Sequence, residues 1–139
     1  MALRPKPPFR ADHVGSLLRP KPLLEARDTL REGRLAAEEL RRREDAAIAE
    51  AVRMQEEIGL QGVTDGEFRR GSWHMDFLYQ VGGVTKVQDN LKVKFHNEKG
   101  DIEFSPAALK VTGKLHLAKP IFAEDFAYLK SVAKATPKL

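Results

Sequence analysis

Residues 36–58 constrain the fold more than any other stretch of this 139-residue chain. Leu40, Ala47, Ile48, Ala51, Val52, Gln55 and Ile58 recur at spacings of three, four and seven, while Glu38, Arg42, Asp45, Arg53 and Glu56 take the other faces. That spacing predicts an amphipathic helix of roughly six turns at 3.6 residues per turn. Gly59 follows as its left-handed cap. A long one-faced helix must bury its stripe against another element, and the next segment offers one. The apolar-leaning run 60–64 is short enough for a strand and ends on the acidic tip Asp65-Gly66-Glu67.

The flanking segments continue an α/β pattern. Residues 1–8 are a proline-spaced, extended lead-in; 9–14 is a predicted strand that runs into Gly15-Ser16. Pro20 and Pro22 sit where a helix can start, Leu23, Leu24, Arg27 and Leu30 follow at helical spacing, and Gly33 is a stop. Residues 68–77 are polar and aromatic, a predicted loop with helical turns. Leu91, Val93 and Phe95 then alternate with Lys92, Lys94 and His96, the period of a half-buried strand. Asn97-Glu98-Lys99-Gly100 supplies a turn, and 101–105 is the return strand with Ile102 and Phe104 inward. Pro106 breaks it. Leu109, Val111, Leu115 and Leu117 predict another strand around Gly113, and Pro120 opens a last helix with Phe122, Phe126, Leu129 and Val132 as its stripe. Pro137 is expected to stop that helix where another strand should begin.

Composition narrows the function classes. The net charge is +4 and 32% of residues are charged. The lysines Lys86, Lys92, Lys94, Lys99, Lys110, Lys114 and Lys119 alternate along strands and are interleaved with acids, so a solvated sheet face accounts for them. No nucleic-acid partner is expected. No run approaches the roughly 18 apolar residues of a membrane span, no secretory signal is evident, and residence in the cytoplasm is the expectation. With no cysteine in the sequence, neither disulfides nor thiolate metal ligands are available. His74 has no partner histidine at helical spacing, so no metal site is expected.

Three clusters could carry chemistry. In Asp12-His13-Val14-Gly15-Ser16 a glycine lets backbone approach a ligand, and amide N–H groups beside a serine hydroxyl can hold a carboxylate; a plain turn is the alternative. In Asp65-Gly66-Glu67, Glu67 can accept hydrogen bonds from an ammonium and Asp65 can orient a neighbour; the alternative is an acidic cap on a helix near Phe68. In Ser72-Trp73-His74-Met75-Asp76, Trp73 and His74 could wall a pocket, or simply pack under a loop.

Taken together, 9–20 (FRADHVGSLLRP), 63–70 (VTDGEFRR) and 73–77 (WHMDF) resemble the opening of the cobalamin-independent methionine synthase superfamily, in particular its short single-barrel members. The resemblance covers essentially the whole chain. It implies the first three or so βα units of a (β/α)₈ TIM barrel, with 1–139 as the N-terminal part of one methyltransferase-like domain and 86–105 as an inserted antiparallel hairpin. It also implies methyl transfer from 5-methyltetrahydrofolate to the sulfur of homocysteine, with zinc holding the thiolate. By the same resemblance, Val14, Gly15 and Ser16 bind the amino-acid end of homocysteine, and Glu67 binds the same substrate. His13, Asp65, Trp73 and His74 are further candidates around them. Thr112-Gly113-Lys114, with Pro120-Ile121 after it, resembles the family's folate-contacting Gly-Ser-Arg, lysine standing for arginine.

The sequence departs from the family at the metal. The family's zinc ligands are a histidine, two cysteines and a glutamate of later strands, and none of those motifs is present. A free thiol with a pKa near 8.5 is only a few per cent ionised at neutral pH, so no catalytic residue is assigned and the isolated chain is expected to be inactive. An incomplete barrel leaves unpaired edges and apolar faces, so self-association, or a need for the rest of the barrel, is expected. Three other readings remain at this level: a non-catalytic remnant that binds an amino acid or assembles with another chain, a uroporphyrinogen decarboxylase-like barrel, and a small basic RNA-binding module.

Overall fold

In a computed structural model, the structure describes residues 6–7, 13–87, 92–98, 100–105 and 108–138. The elements run α1 (Lys21–Arg31), α2 (Ala37–Glu57), β1 (Gly62–Val63), α3 (Met75–Leu78), β2 (Gly82–Val87), β3 (Val93–Asn97), β4 (Gly100–Phe104), β5 (Ala108–His116), α4 (Ala123–Val132) and β6 (Thr136–Pro137). The chain divides into two units, one of residues 1–70 and 122–139, the other of residues 71–121.

The first unit is built on α2. Both α1 and α2 close with the same device. Gly33 (φ 71°) and Gly59 (φ 85°) adopt the left-handed conformation just past the helix ends. Their amides, and those of Arg34 and Leu60, return to carbonyls of the last turn: Gly33 to Leu30, Arg34 to Thr29, Gly59 to Glu56 and Leu60 to Gln55. This is the double hydrogen bond of a Schellman motif, and it satisfies carbonyls that the helix itself leaves orphaned. The α2 stripe buries Ile48, Ala51 and Val52 with Leu23 of α1, Val63 of β1, Phe68 and Leu129 of α4. Ile58, expected in that stripe, is 67% exposed, because it follows the last helical turn and the cap turns it outward.

β1 pairs in parallel with β6, Gly62 opposite Thr136 and Val63 opposite Pro137. Two parallel strands joined through α4 make a βα crossover, the connection a parallel pair requires. Pro137 therefore does not end α4. The helix stops at Val132, and Pro137 lies in the following strand, where a missing N–H is tolerated in so short a pairing. Among the described residues this is one parallel pair rather than three complete βα units. Most of the predicted strand 9–14 lies outside them, and His13 and Val14 belong to no strand.

The second unit holds α3 and two antiparallel pairs. β2 pairs with β5 from Val87 opposite Ala108 to Gly82 opposite His116, with a bulge between Gly82 and Val84. At the bulge Gly83 has φ 86°, and a Cβ there would lie 2.6 Å from the Lys114 carbonyl oxygen. β2 was not expected from the sequence, and it claims Lys86 and Val87, so the pair β3–β4 begins later than 86. β3 pairs with β4 from Val93 opposite Phe104 to Asn97 opposite Gly100. Phe95 and Ile102 are exposed rather than inward. Alternation along those strands marks two faces, and the one carrying Phe95 and Ile102 is open to solvent. Leu91 and Lys99 lie outside the described residues.

Candidate functional site

The loops 13–19 and 64–70 of the first unit are joined by hydrogen bonds at Gly15, Leu17 and Arg19. Leu17 N–H donates to the Gly66 carbonyl (3.1 Å). The Thr64 hydroxyl donates to the Gly15 carbonyl (2.7 Å) and accepts from Gly66 N–H (3.2 Å). Gly15 is buried with φ 114°, and a Cβ on it would come within 2.7 Å of Thr64 Cγ2. Glycine is required there by both backbone and space. Ser16 and Glu67, each one residue from the Leu17–Gly66 bond, are thereby neighbours across the two loops. Val14 and Ser16 are exposed, Glu67 is half-buried and Asp65 is buried.

Residues 65–68 form a tight turn. Gly66 (φ 67°) and Glu67 (φ 56°) are successive left-handed residues, and Phe68 N–H donates to the Asp65 carbonyl at 3.3 Å. This is the pattern of a type I′ turn, whose second central position ordinarily takes glycine. Here it takes a glutamate. Asp65 Oδ1 accepts Glu67 N–H (2.8 Å), and the Glu67 carboxylate lies 3.5 Å from the Arg70 guanidinium.

Behind the turn stands a set of arginines that sequence reasoning missed. Arg19 donates to the Glu67 carbonyl (2.8 Å) and to the Arg70 carbonyl (2.6 Å). Arg27, on α1, donates to the Phe68 carbonyl and to the Arg70 carbonyl (3.1 Å), and contacts Glu44 at 3.2 Å. Arg69 contacts Glu44 (3.3 Å), Asp45 and Asp125 (3.3 Å), and stacks over Tyr128 with its guanidinium carbon 5.2 Å from the ring centroid. The one available signal was Arg27 itself, a cation at helical spacing from Leu23 and Leu30 and beside the buried Ala26. Gln55 was grouped with the apolar stripe of α2. It is fully buried, and its amide group accepts from Thr64 N–H (3.0 Å) and donates to the Thr64 and Ala51 carbonyls (2.9 and 3.0 Å). His13 Nε2 lies 2.9 Å from Gln55 Oε1.

Other candidates fall in the second unit. The Trp73 and His74 rings are tilted against each other with centroids 4.4 Å apart, and Trp73 is exposed. Lys114 is an exposed residue of β5. An apolar groove of about 370 Å³ in the first unit, lined by Leu17, Leu18, Ala47, Met54 and Phe68, has Glu50 as its charged lining residue and offers an amino acid no set of convergent polar groups.

Zinc, which the resemblance implies, does not fit the donors of this chain. His13 faces Gln55, His74 lies 3.4 Å from Ser72 Oγ, His96 pairs with Asp101 (2.7 Å) and His116 faces the Lys114 carbonyl (3.0 Å). They stand on separate elements, and the sequence has no thiolate to join them. Among the described residues no three His, Asp or Glu side chains gather as a metal site.

A parallel βα crossover with a polar loop at the carboxyl end of its strand defines an α/β protein, a class in which small-molecule sites are built at that end. The chain belongs to the cobalamin-independent synthase family: residues 9–99 match the model of its catalytic domain. It is 44% identical over 137 residues to YxjG and 47% identical over 135 residues to YxjH, two uncharacterized proteins of Bacillus subtilis. These alignments take in 98% and 96% of the chain but 35% of each relative. A methionine synthase of Sulfolobus acidocaldarius is 30% identical over 120 residues, 86% of the chain and 33% of that protein. The chain thus spans about a third of the length of the curated relatives it matches. Among solved structures, a candidate vitamin B12-independent methionine synthase of Listeria monocytogenes superposes with a TM-score of 0.71 at 37% identity, over 93% of this chain and 34% of its own. A B12-independent methionine synthase of Shewanella sp. W3-18-1, solved with selenomethionine, shares the fold with a TM-score of 0.53 at 22% identity, over 75% of this chain and 29% of its own. No helix among the described residues is long and apolar enough to cross a membrane.

Proposed function

We propose that this chain supplies the amino-acid-binding edge of a cytoplasmic methyltransferase barrel that moves a methyl group from 5-methyltetrahydrofolate to a homocysteine-like thiol. The observation that carries the reading is the stitching of the two loops, Thr64 to Gly15 and Leu17 to Gly66, which sets Ser16 beside Glu67. The loop Val14-Gly15-Ser16, exposed at Val14 and Ser16, binds the substrate carboxylate through backbone N–H groups and the Ser16 hydroxyl, and the Glu67 carboxylate accepts hydrogen bonds from its ammonium. Neutral donors on one loop and a carboxylate on the other orient both ends of an α-amino acid at once. Asp65, which holds the Glu67 amide, keeps the turn in shape. His13 supports the same loop through Gln55. The antiparallel β3–β4 pair is an excursion from the barrel, and Lys114 on β5 contacts folate.

No step of methyl transfer runs through the residues present. Thiol activation needs ligands that this cysteine-free sequence lacks, so the isolated chain binds substrate without turning it over. Isothermal titration with L-homocysteine and L-methionine tests the reading. Binding lost in both Glu67→Gln and Ser16→Ala supports it. Binding unchanged in both, or absent in the wild-type chain, removes it.

A further inference from the structure

Within the turn 65–68 the Asp65 carboxylate holds the Glu67 amide, and further groups bear on the turn from outside. A glutamate at the second central position of a type I′ turn occupies the sparsely populated left-handed region, where glycine would sit without strain. Glu67 nevertheless has φ 56°. Strain of this kind persists only where the surroundings over-determine the backbone, and it gathers at functional sites. Here Leu17 and Thr64 hold Gly66, and two guanidinium groups from outside the turn hold the residues that follow it. Arg19 reaches the carbonyls of Glu67 and Arg70, and Arg27 reaches those of Phe68 and Arg70. Four hydrogen bonds onto three carbonyls, those of Glu67, Phe68 and Arg70, therefore fix the chain at and just after the left-handed residue. Arg19 belongs to the segment 13–19 and Arg27 to α1, so the two groups approach along different elements. Glu44, with its side chain only 9% exposed, holds Arg27 from behind and Arg69 on its other oxygen.

We infer that Arg19 and Arg27 are positioning residues: they hold Glu67 in its left-handed conformation and so aim its carboxylate at the substrate ammonium. This rests on the amino-acid site proposed above and adds the groups that set its geometry. A guanidinium suits the task because its planar fork gives several donors in fixed directions, enough for two carbonyls at once. A lysine offers a point charge and no such fork.

The experiment reads conformation and affinity separately. The intraresidue amide–Hα nuclear Overhauser effect of Glu67, intense for positive φ, is compared in the wild-type chain, Arg19→Met, Arg19→Lys and Arg27→Lys. Affinity for L-methionine is measured by titration on the same samples. The inference expects the Glu67 signal to weaken in Arg19→Met as negative φ is sampled, with smaller losses in the lysine variants. It also expects the dissociation constant to rise about tenfold in Arg19→Met, the loss of two charge-assisted hydrogen bonds, one of them to the binding residue itself. Were Arg19→Met to unfold, the folded lysine variants would carry the comparison. An unchanged Glu67 signal in all folded variants overturns the inference, even with amino-acid binding intact. A signal lost as expected in a chain that binds no amino acid leaves the clamp standing and removes the proposed ligand instead.

Discussion

The hydroxyl of Thr64 donates to the carbonyl of Gly15 at 2.7 Å, across 49 positions of sequence. This bond and the Gly15 backbone are mutually dependent. Gly15 can lie against Thr64 only because it has no Cβ, and its φ of 114° is open to glycine alone. Gly15→Ala should therefore part the two loops, destabilising the chain by about 1–3 kcal/mol through strain at a special backbone position and abolishing amino-acid binding. Thermal melting and titration on one sample check both effects. Thr64→Ser, which removes Cγ2 but keeps the hydroxyl, should recover part of the stability in the double variant.

Gln55 satisfies both backbone groups of Thr64 from inside the core. Gln55→Leu keeps the apolar volume but leaves a buried N–H and C=O without partners, at a cost of about 1–3 kcal/mol for each unsatisfied group. Denaturant unfolding should show the loss as a lower midpoint with an unchanged slope.

Much of this fold was legible because helices announce themselves locally. The three- and four-residue spacing of Ile48, Ala51 and Val52, with glycines at 33 and 59, specifies both helices and their ends, since packing and capping depend on residues close in sequence. The strands were less legible in proportion to how little side-chain pattern they carry. β2 begins with two glycines and rests on pairing with β5, a contact between distant segments. β6 is two residues long and contains a proline, which read as a helix stop. Alternation in β3 and β4 located the strands but not which faces are covered. In the site, the glycine and carboxylate positions could be read as motifs. Arg19 could not, because it bonds backbone carbonyls, which leave no mark in the sequence, and the carboxylates that meet Arg27 and Arg69 lie far from them along the chain.

Glu56 ties the approach to β6 back to α2, its carboxylate accepting the amides of Lys134 (2.6 Å) and Ala135 (2.9 Å). The Ala135 amide, with the Lys134 amide and charge beside it, holds the Glu56 carboxyl below its ordinary value of 4.5. A group whose pKa is depressed on folding adds stability that is present above its unfolded value and lost as pH falls through the folded one. Stability should thus decline below about pH 4.5, and Glu56→Gln should flatten that part of the profile. Melting curves between pH 3 and 7 on the two proteins make the comparison. An identical acid limb in both would show that Glu56 takes no part.

Among the described residues a single parallel pair, β1 with β6, leaves sheet edges and the apolar groove beside Leu17 and Met54 for another chain or a further segment to cover. At micromolar concentration the chain should self-associate, giving a mass above 15.6 kDa by light scattering. A monodisperse species of that mass with a cooperative melt would show that these residues suffice as a folded unit.

The central claim is that the loops 14–16 and 65–67 together receive an α-amino acid. Amide chemical-shift mapping of the ¹⁵N-labelled chain during titration with L-methionine tests it most directly. The account predicts saturable shifts concentrated at Gly15, Ser16, Gly66 and Glu67, and absent when Glu67 is replaced by glutamine. Saturable shifts confined to other residues, around Trp73 or along the β3–β4 pair, would contradict it, as would no response from either loop.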